Sequence, residues 1–152
     1  MADKPQKAVK SNHFSKDELK QLVNLKLKEI DGSDTTKVKE LNNSINKLEG
    51  FVESNANGIT PSQLRNIFNN IKEMSESELG RLVMLRPKLA YILARQDNLL
   101  RDYKDKQKGR ILIEFFDKLI QQVHDQSQFS NFKMIMEAVV AYHKRHYTGK
   151  NK

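Results

Sequence analysis

Apolar residues recur every three or four positions along most of this 152-residue chain, which is the spacing of one face of an α-helix. The clearest run is Val38, Leu41, Ile45, Leu48 and Val52. No segment shows the period-two alternation, bounded by turn residues, that is typical of strands. The spacing therefore predicts an all-α fold.

Capping boxes mark two of the helix starts. In this pattern a Ser or Thr and a Glu or Gln three residues later each accept a hydrogen bond from the other's backbone N–H. Ser15 with Glu18 predicts a helix that runs to about Ile30, and Ser75 with Glu78 predicts the start of a short helix.

The segment NANGITPSQ, residues 55–63, separates two further helices. Gly58 is typical of a left-handed helix stop, Thr60 of an N-cap and Pro61 of the first helical position. Gln63 completes a third capping box. A helix is therefore expected to begin at Pro61.

The remaining boundaries are less strongly marked. Pro87 predicts a boundary near Arg86, because its ring clashes with the preceding turn and it has no N–H. The charged segment DYKDKQKGR, residues 102–110, is predicted to be a connector, with helices over 111–123 and from 126 onward.

These segments predict a compact helical bundle of about six or seven helices. They form a single helical domain over residues 13–147. Residues 1–12 lack apolar periodicity and are predicted to be a flexible basic tail, and residues 148–152 a basic C-terminal tail.

The positive surplus of the chain lies in two blocks and a tail, and the largest block is residues 81–110. The formal net charge is +8, and residues 81–110 alone hold nine Lys and Arg against three Asp, a surplus of +6. Clustered cations bind polyanions such as nucleic acid because binding releases condensed counterions. The charge pattern therefore favours a polyanionic partner over an evenly solvated surface.

Composition removes several classes of function. The chain has no Cys, which excludes disulfides, thiolate zinc sites, iron–sulfur clusters and cysteine nucleophiles. No stretch approaches the ~18 apolar residues of a membrane span, and no apolar signal region follows the basic N-terminus. The sequence predicts a cytoplasmic protein with no membrane association and no cofactor.

The segment MLRPKLAYILARQ, residues 84–96, carries Arg86, Lys88 and Arg95 without an acid among them. On a helix, Lys88 and Arg95 are seven residues apart and point in nearly the same direction, whereas Arg86 projects from the opposite flank. These three cations are the strongest candidates in the chain for contact with an external anion.

Catalytic motifs are absent from the sequence. His143 and His146 share the spacing of two metal ligands, but a catalytic metal usually needs a third ligand and a general base. His143 also falls on the apolar stripe with Val139 and Val140, so we expect it to be packed in the core. No enzymatic activity is predicted, and a metal-dependent nuclease that uses both histidines is the least favoured hypothesis.

Four segments match a known family in order and spacing. They are GITPSQLRNIF (58–68), LRPKLAYILARQ (85–96), FFDKLIQQV (115–123) and FKMIMEAVVAYHK (132–144). In combination they resemble the small subunit of the type III-A CRISPR effector, the Csm complex. The resemblance covers residues 38–147.

The resemblance implies a non-catalytic helical subunit of a ribonucleoprotein that acts in antiviral defence. It implies that several copies stack along the crRNA-bound backbone filament, beside the large signalling subunit, and bind the phosphate backbone of single-stranded target RNA. Guide pairing would supply the sequence specificity, as it does in guided DNA recognition. The basic positions within the matching motifs are the RNA-binding residues it implies: Arg65, Arg86, Lys88, Arg95, Lys133 and Lys144.

The alternative is a helical protein–protein adaptor without direct nucleic-acid binding, whose charge serves solubility or an acidic partner. Competition between RNA and an acidic partner for one surface would favour the RNA-binding hypothesis.

Overall fold

The computed structural model describes residues 13–27, 33 and 35–149. The predicted tail over residues 1–12 lies outside the described residues, as do residues 150–152 of the predicted C-terminal tail. Regular structure in the described part is helical throughout and includes no strand, so the prediction of an all-α bundle is confirmed. Its α-helices are α1 Lys16–Val23, α2 Thr35–Asn55, α3 Pro61–Lys72, α4 Leu79–Val83, α5 Leu85–Leu99, α6 Tyr103–Ile120 and α7 Gln126–His146, with a 3₁₀ turn at Ala56–Gly58.

Helices α6 and α7 form the centre of the bundle. Helix α7 packs against α1, α2 and α3, while α6 packs against α1, α2, α5 and the 3₁₀ turn. Their apolar faces supply much of the core, in which five buried phenylalanines lie: Phe51, Phe115, Phe116, Phe129 and Phe132. Phe14 joins this cluster from the residue before the α1 cap, with its ring centroid 5.4 Å from that of Phe51.

The strongest capping predictions are confirmed. The Thr60 hydroxyl accepts from the Gln63 N–H at 3.1 Å, the Gln63 carboxamide accepts from the Thr60 N–H, and Pro61 is the first residue of α3. Ser15 and Glu18 form the same reciprocal pair at the start of α1. Local sequence therefore determines these two helix starts.

Helix α1 ends at Val23, earlier than the predicted end near Ile30. The Asn131 side chain of α7 donates to the carbonyls of Val23 at 2.8 Å and Leu25 at 2.6 Å. A partner on another helix thus takes the carbonyls that a longer α1 would use, and the chain leaves the helix. Residues 28–30 of the predicted helix lie outside the described part.

The connector predicted over residues 102–110 is wrong, whereas the boundary predicted near Arg86 is found at Met84, between α4 and α5. Residues 103–110 are not a connector: they are the first two turns of α6, which Asp102 caps by accepting from the Lys104 N–H at 2.8 Å. Helix α5 begins at Leu85, so Pro87 lies in its first turn, where a missing N–H removes no helical hydrogen bond.

The predicted box at Ser75 is only half formed. The Ser75 N–H donates to the Glu78 carboxylate at 2.7 Å, but the Ser75 hydroxyl accepts from the Ser77 N–H instead of that of Glu78. The short helix α4 consequently begins after Glu78, at Leu79.

Gly58 does not form a left-handed stop, because among the described residues only Gly149 has a positive φ, of 68°. Gly58 is required for a different reason. The backbone of the 3₁₀ turn lies directly against α6, and a β-carbon on Gly58 would overlap the backbone of Lys108 and Gly109. A β-carbon on Gly109 would lie 2.5 Å from the Gly58 carbonyl oxygen. Two glycines thus permit the close contact between these elements.

This contact predicts opposite effects for two Gly→Ala substitutions. Gly109→Ala should lower the free energy of unfolding by about 1–3 kcal/mol, because the added methyl forces α6 away from the 3₁₀ turn. Gly50→Ala in α2, where a β-carbon meets nothing within 4 Å, should raise it by about 0.5–1 kcal/mol through higher helix propensity. Urea unfolding of both variants checks the prediction, and equal stabilities would contradict it.

Candidate nucleic-acid interface

Helices α5 and α6 form an antiparallel hairpin joined by residues 100–102. Arg86 near the start of α5 contacts Asp117 near the end of α6, and the Gln96 side chain near the end of α5 lies against Gly109 in α6. This α5–α6 hairpin contains most of the basic block that the sequence indicates.

The inner face of α5 is fixed by packing and by one buried hydrogen bond. Leu85 and Leu89 are buried in the core. Gln96 is 2% exposed, and its side-chain amide donates to the Gly58 carbonyl in the 3₁₀ turn. A buried amide without this partner would cost free energy, so the contact sets the rotation of α5 about its own axis.

One flank of α5, beside this inner face, carries Lys88, Tyr91 and Arg95, which we call the outer row. They stand at i, i+3 and i+7, so they share one face and span about 10 Å along the axis. All three are exposed, Tyr91 at 63%. None has a hydrogen bond or ion pair with any other residue that the structure describes. The outer row therefore presents two uncompensated cations with a ring between them.

Arg86 is compensated by an acid that is distant in sequence. Its Nε donates to Asp117 Oδ1 at 2.8 Å, and its Nη2 to Asp117 Oδ2 at 3.4 Å. The hydrogen bond to Asp117 raises the pKa of Arg86 above its ordinary value, with a smaller coulombic contribution from the same carboxylate. The absence of an acid within residues 84–96 therefore does not show that Arg86 is uncompensated. Its ion pair with Asp117 links α5 to α6.

Lys133 is also engaged within the chain. Its ammonium donates to the Met74 carbonyl just after α3, lies 3.3 Å from the Glu76 carboxylate and stands 5.2 Å from the Phe129 ring centroid. The pKa of Glu76 is lowered, mainly by a backbone hydrogen bond and to a smaller extent by the hydrogen bond from Lys133. Lys133 therefore links α7 to the segment that follows α3.

Arg65 and Lys144 are exposed on α3 and α7, and neither has an ion pair or hydrogen-bond partner within the described part of the chain. The structure therefore divides the six predicted residues into two groups. Four keep their charge available to solvent, and of these only Lys88 and Arg95 lie together on one helix face. Arg86 and Lys133 link helices.

A comparison with known families identifies the chain. The family model described as Csm2 Type III-A matches residues 35–149. The chain belongs to the Csm2 type III-A family. It is therefore a small subunit of the Csm complex of type III-A CRISPR defence, as the resemblance in sequence predicts. No curated protein and no solved structure matches the chain.

The region that matches the Csm2 family model contains α2 to α7 and all six residues that the sequence predicts to bind RNA. Helix α1 lies before it. Within the described residues, no helix has the length and apolar character needed to cross a membrane.

The two histidines of the hypothetical metal site face different partners. His143 is 1% exposed, which confirms that it is packed, and its Nε2 lies 2.9 Å from the carbonyl oxygens of both Ala56 and Ile59. His146 Nε2 lies 2.8 Å from Glu49 Oε2 on α2. The described residues contain no group of three His, Cys, Asp or Glu placed to hold a metal ion.

Tyr91 is the residue of this surface that sequence reasoning missed. Its signal was available, because it stands three residues after Lys88 and four before Arg95, outside the apolar stripe that contains Leu89. The position of an aromatic residue between two cations is the signal that indicates it, whereas the number of aromatic residues in the chain does not.

His143 makes stability depend on pH. Burial lowers the pKa of His143, although its two carbonyl partners act in the opposite direction. The unfolded chain therefore takes up this proton at a higher pH than the folded chain. Stability is full above the ordinary His pKa of about 6.5 and falls as the pH drops below it, by at most about 1.4 kcal/mol per pH unit.

Urea unfolding at pH 7.5 and 5.5 measures this effect. His143→Gln, which can still donate to the carbonyls, should show a smaller loss between the two pH values than the unsubstituted chain. His124→Gln replaces an exposed histidine and should retain the full difference. An undiminished loss in His143→Gln would contradict the assignment.

Proposed function

We propose that this Csm subunit binds single-stranded target RNA through its phosphate backbone, with Lys88 and Arg95 of α5 as the principal contacts. The observation that carries the proposal is that both cations are exposed on one helix face without a partner among the described residues. A cation that is not neutralised within the chain can release counterions when it meets a phosphate. Membership in the Csm2 family supports RNA as this polyanion, because the resemblance implies a complex that carries a crRNA.

Binding of this kind does not depend on RNA sequence. Cations on a helix face recognise charge and spacing, whereas base reading needs hydrogen-bonding groups placed against base edges. Guide pairing would supply the specificity. Arg65 and Lys144 would add contacts from α3 and α7. Arg86 and Lys133 would contribute mainly by holding the helices in place, because their charges already face Asp117 and Glu76.

The wider assembly follows from the resemblance. We propose that copies of the subunit stack along the crRNA-bound backbone filament, next to the large signalling subunit, and that this subunit does not itself cleave RNA. Contacts with neighbouring proteins would use other surfaces than the outer row. Val83 at the end of α4 and Met84 directly after it, exposed at 47% and 65%, are apolar residues suited to such a contact.

These two side chains also favour the second candidate, a protein–protein adaptor that does not touch RNA. An acidic partner protein that binds the outer row would satisfy Lys88 and Arg95 as RNA would. The two functions differ in what competes for the surface, since only the first predicts that single-stranded RNA displaces such a partner.

The double substitution Lys88→Ala/Arg95→Ala tests the proposal in the purified full chain. If each cation releases about 0.7 counterion, affinity for single-stranded RNA should fall about tenfold at 0.15 M salt. The slope of log affinity against log salt should become shallower by about 1.4. Anisotropy of labelled oligoribonucleotides over a salt series measures both quantities. The same variant in the assembled, crRNA-loaded complex should capture target RNA more weakly.

The matched control is Lys16→Ala/Lys20→Ala, which removes the same charge from exposed positions of α1, outside the family match. It should change affinity and slope much less. Arg86→Ala should change the slope less than replacing Lys88 or Arg95, while lowering stability by up to about 1 kcal/mol, as expected for a partly exposed ion pair. Equal losses in the outer-row and α1 variants would show that only total charge matters and that the assignment is wrong.

A further inference from the structure

Tyr91 is an aromatic residue that the fold leaves in solvent. All seven phenylalanines of the chain are packed: five are buried, and Phe14 and Phe68 lie partly buried against the core. Tyr142 and Tyr147 are half-buried. Only Tyr91 and Tyr103 among the described aromatic residues are mostly exposed, at 63% and 70%. The packing of the bundle gives no reason for a ring at position 91.

The two exposed tyrosines differ in their surroundings. The Tyr103 hydroxyl accepts a hydrogen bond from the Gln107 side chain one turn further along α6, which restrains the ring. Tyr91 has no hydrogen bond or ring contact within the described part of the chain. It also stands about one turn from a cation on each side, since Lys88 precedes it by three residues and Arg95 follows it by four.

We propose that Tyr91 stacks on a base of the single-stranded RNA while Lys88 and Arg95 hold the phosphates on either side of that base. The inference rests on the proposed function and adds a second kind of contact to it. Single-strand binding surfaces combine a cationic path for the backbone with aromatic rings for the bases. Stacking of this kind tolerates any sequence, because every base has an aromatic face.

Charge complementarity selects RNA over a protein as the occupant of this row. Two cations without a partner among the residues that the structure describes flank the ring, and the surrounding block of residues 81–110 has a net charge of +6. A phosphate chain offers a negative charge at each nucleotide together with a planar base, so one ligand satisfies all three residues of the row. An acidic protein segment would satisfy the cations but would leave the ring without a matched surface.

The chain contains no Trp, so Tyr91→Trp introduces a single indole as a reporter of stacking. Oligouridylate added to the full-length variant should quench this fluorescence, with a midpoint that matches RNA binding followed by anisotropy. Tyr103→Trp places the same reporter at the other exposed tyrosine and should be quenched much less. An oligoribonucleotide of equal length made of abasic sites should still bind, through its phosphates, without quenching Tyr91→Trp.

A second variant measures the contribution of the ring to affinity. Tyr91→Leu should weaken oligouridylate binding at least about fivefold, the loss of one stacked base. It should leave the salt slope unchanged, because no charge is removed. Tyr91→Phe should bind as the unsubstituted chain does. On the abasic oligoribonucleotide, Tyr91→Leu and the unsubstituted chain should bind equally.

The outcomes separate this inference from the proposed function. In one outcome, RNA binding depends on Lys88 and Arg95 while Tyr91→Trp is not quenched and Tyr91→Leu binds with full affinity. This result would overturn the stacking contact and would leave the phosphate contacts intact. If Tyr91→Leu loses affinity equally for oligouridylate and for the abasic oligoribonucleotide, Tyr91 acts through the structure of α5 and not through a base. If neither RNA binds even at low salt, or if only an acidic protein binds the row, both proposals fail.

Discussion

The architecture of this Csm subunit depends on the close approach of Gly58 and Gly109. Because neither residue has a side chain, the 3₁₀ turn and α6 meet through their backbones. The Gly58 carbonyl then accepts the buried amide of Gln96 from α5. One small contact therefore joins three elements. It determines which face of α5 is turned inward, and so which residues of that helix face solvent.

The distribution of charge follows from this rotation. With Leu89 and Gln96 inward, Arg86 is directed toward α6 and meets Asp117, while Lys88 and Arg95 project from the other flank. A neutralised cation ties two helices together, and an unneutralised one remains available to a ligand. Basic residues that look equivalent in the sequence thus have different roles, and the difference is one of position on the helix surface.

Sequence predicted what depends on local interactions. Helical periodicity and the reciprocal caps at Ser15 and Thr60 are properties of neighbouring residues, and the inward position of His143 follows from the apolar stripe around it. The pairing of Arg86 with Asp117 and of Lys133 with the end of α3 joins residues far apart in sequence, so no local pattern could indicate it. The same is true of Gly58. A glycine is required there because the backbone of α6, which is distant in sequence, leaves no room for a β-carbon. The dense charge of residues 103–110 is typical of a connector, yet these residues are helical, because Lys, Arg and Gln are good helix formers.

The most direct test of this account is photo-cross-linking of target RNA containing 4-thiouridine in the assembled Csm complex, followed by mass spectrometry of the tryptic peptides of this subunit. The account predicts cross-links in the peptide Leu89–Arg95, which contains Tyr91. When Lys88 and Arg95 are replaced in a complex that still assembles, trypsin no longer cleaves at these two positions, and the cross-links should be lost from the longer peptide Leu82–Arg101 that then contains Tyr91. Cross-links confined to other helices, with Leu89–Arg95 recovered unmodified from RNA-bound complexes, would contradict it.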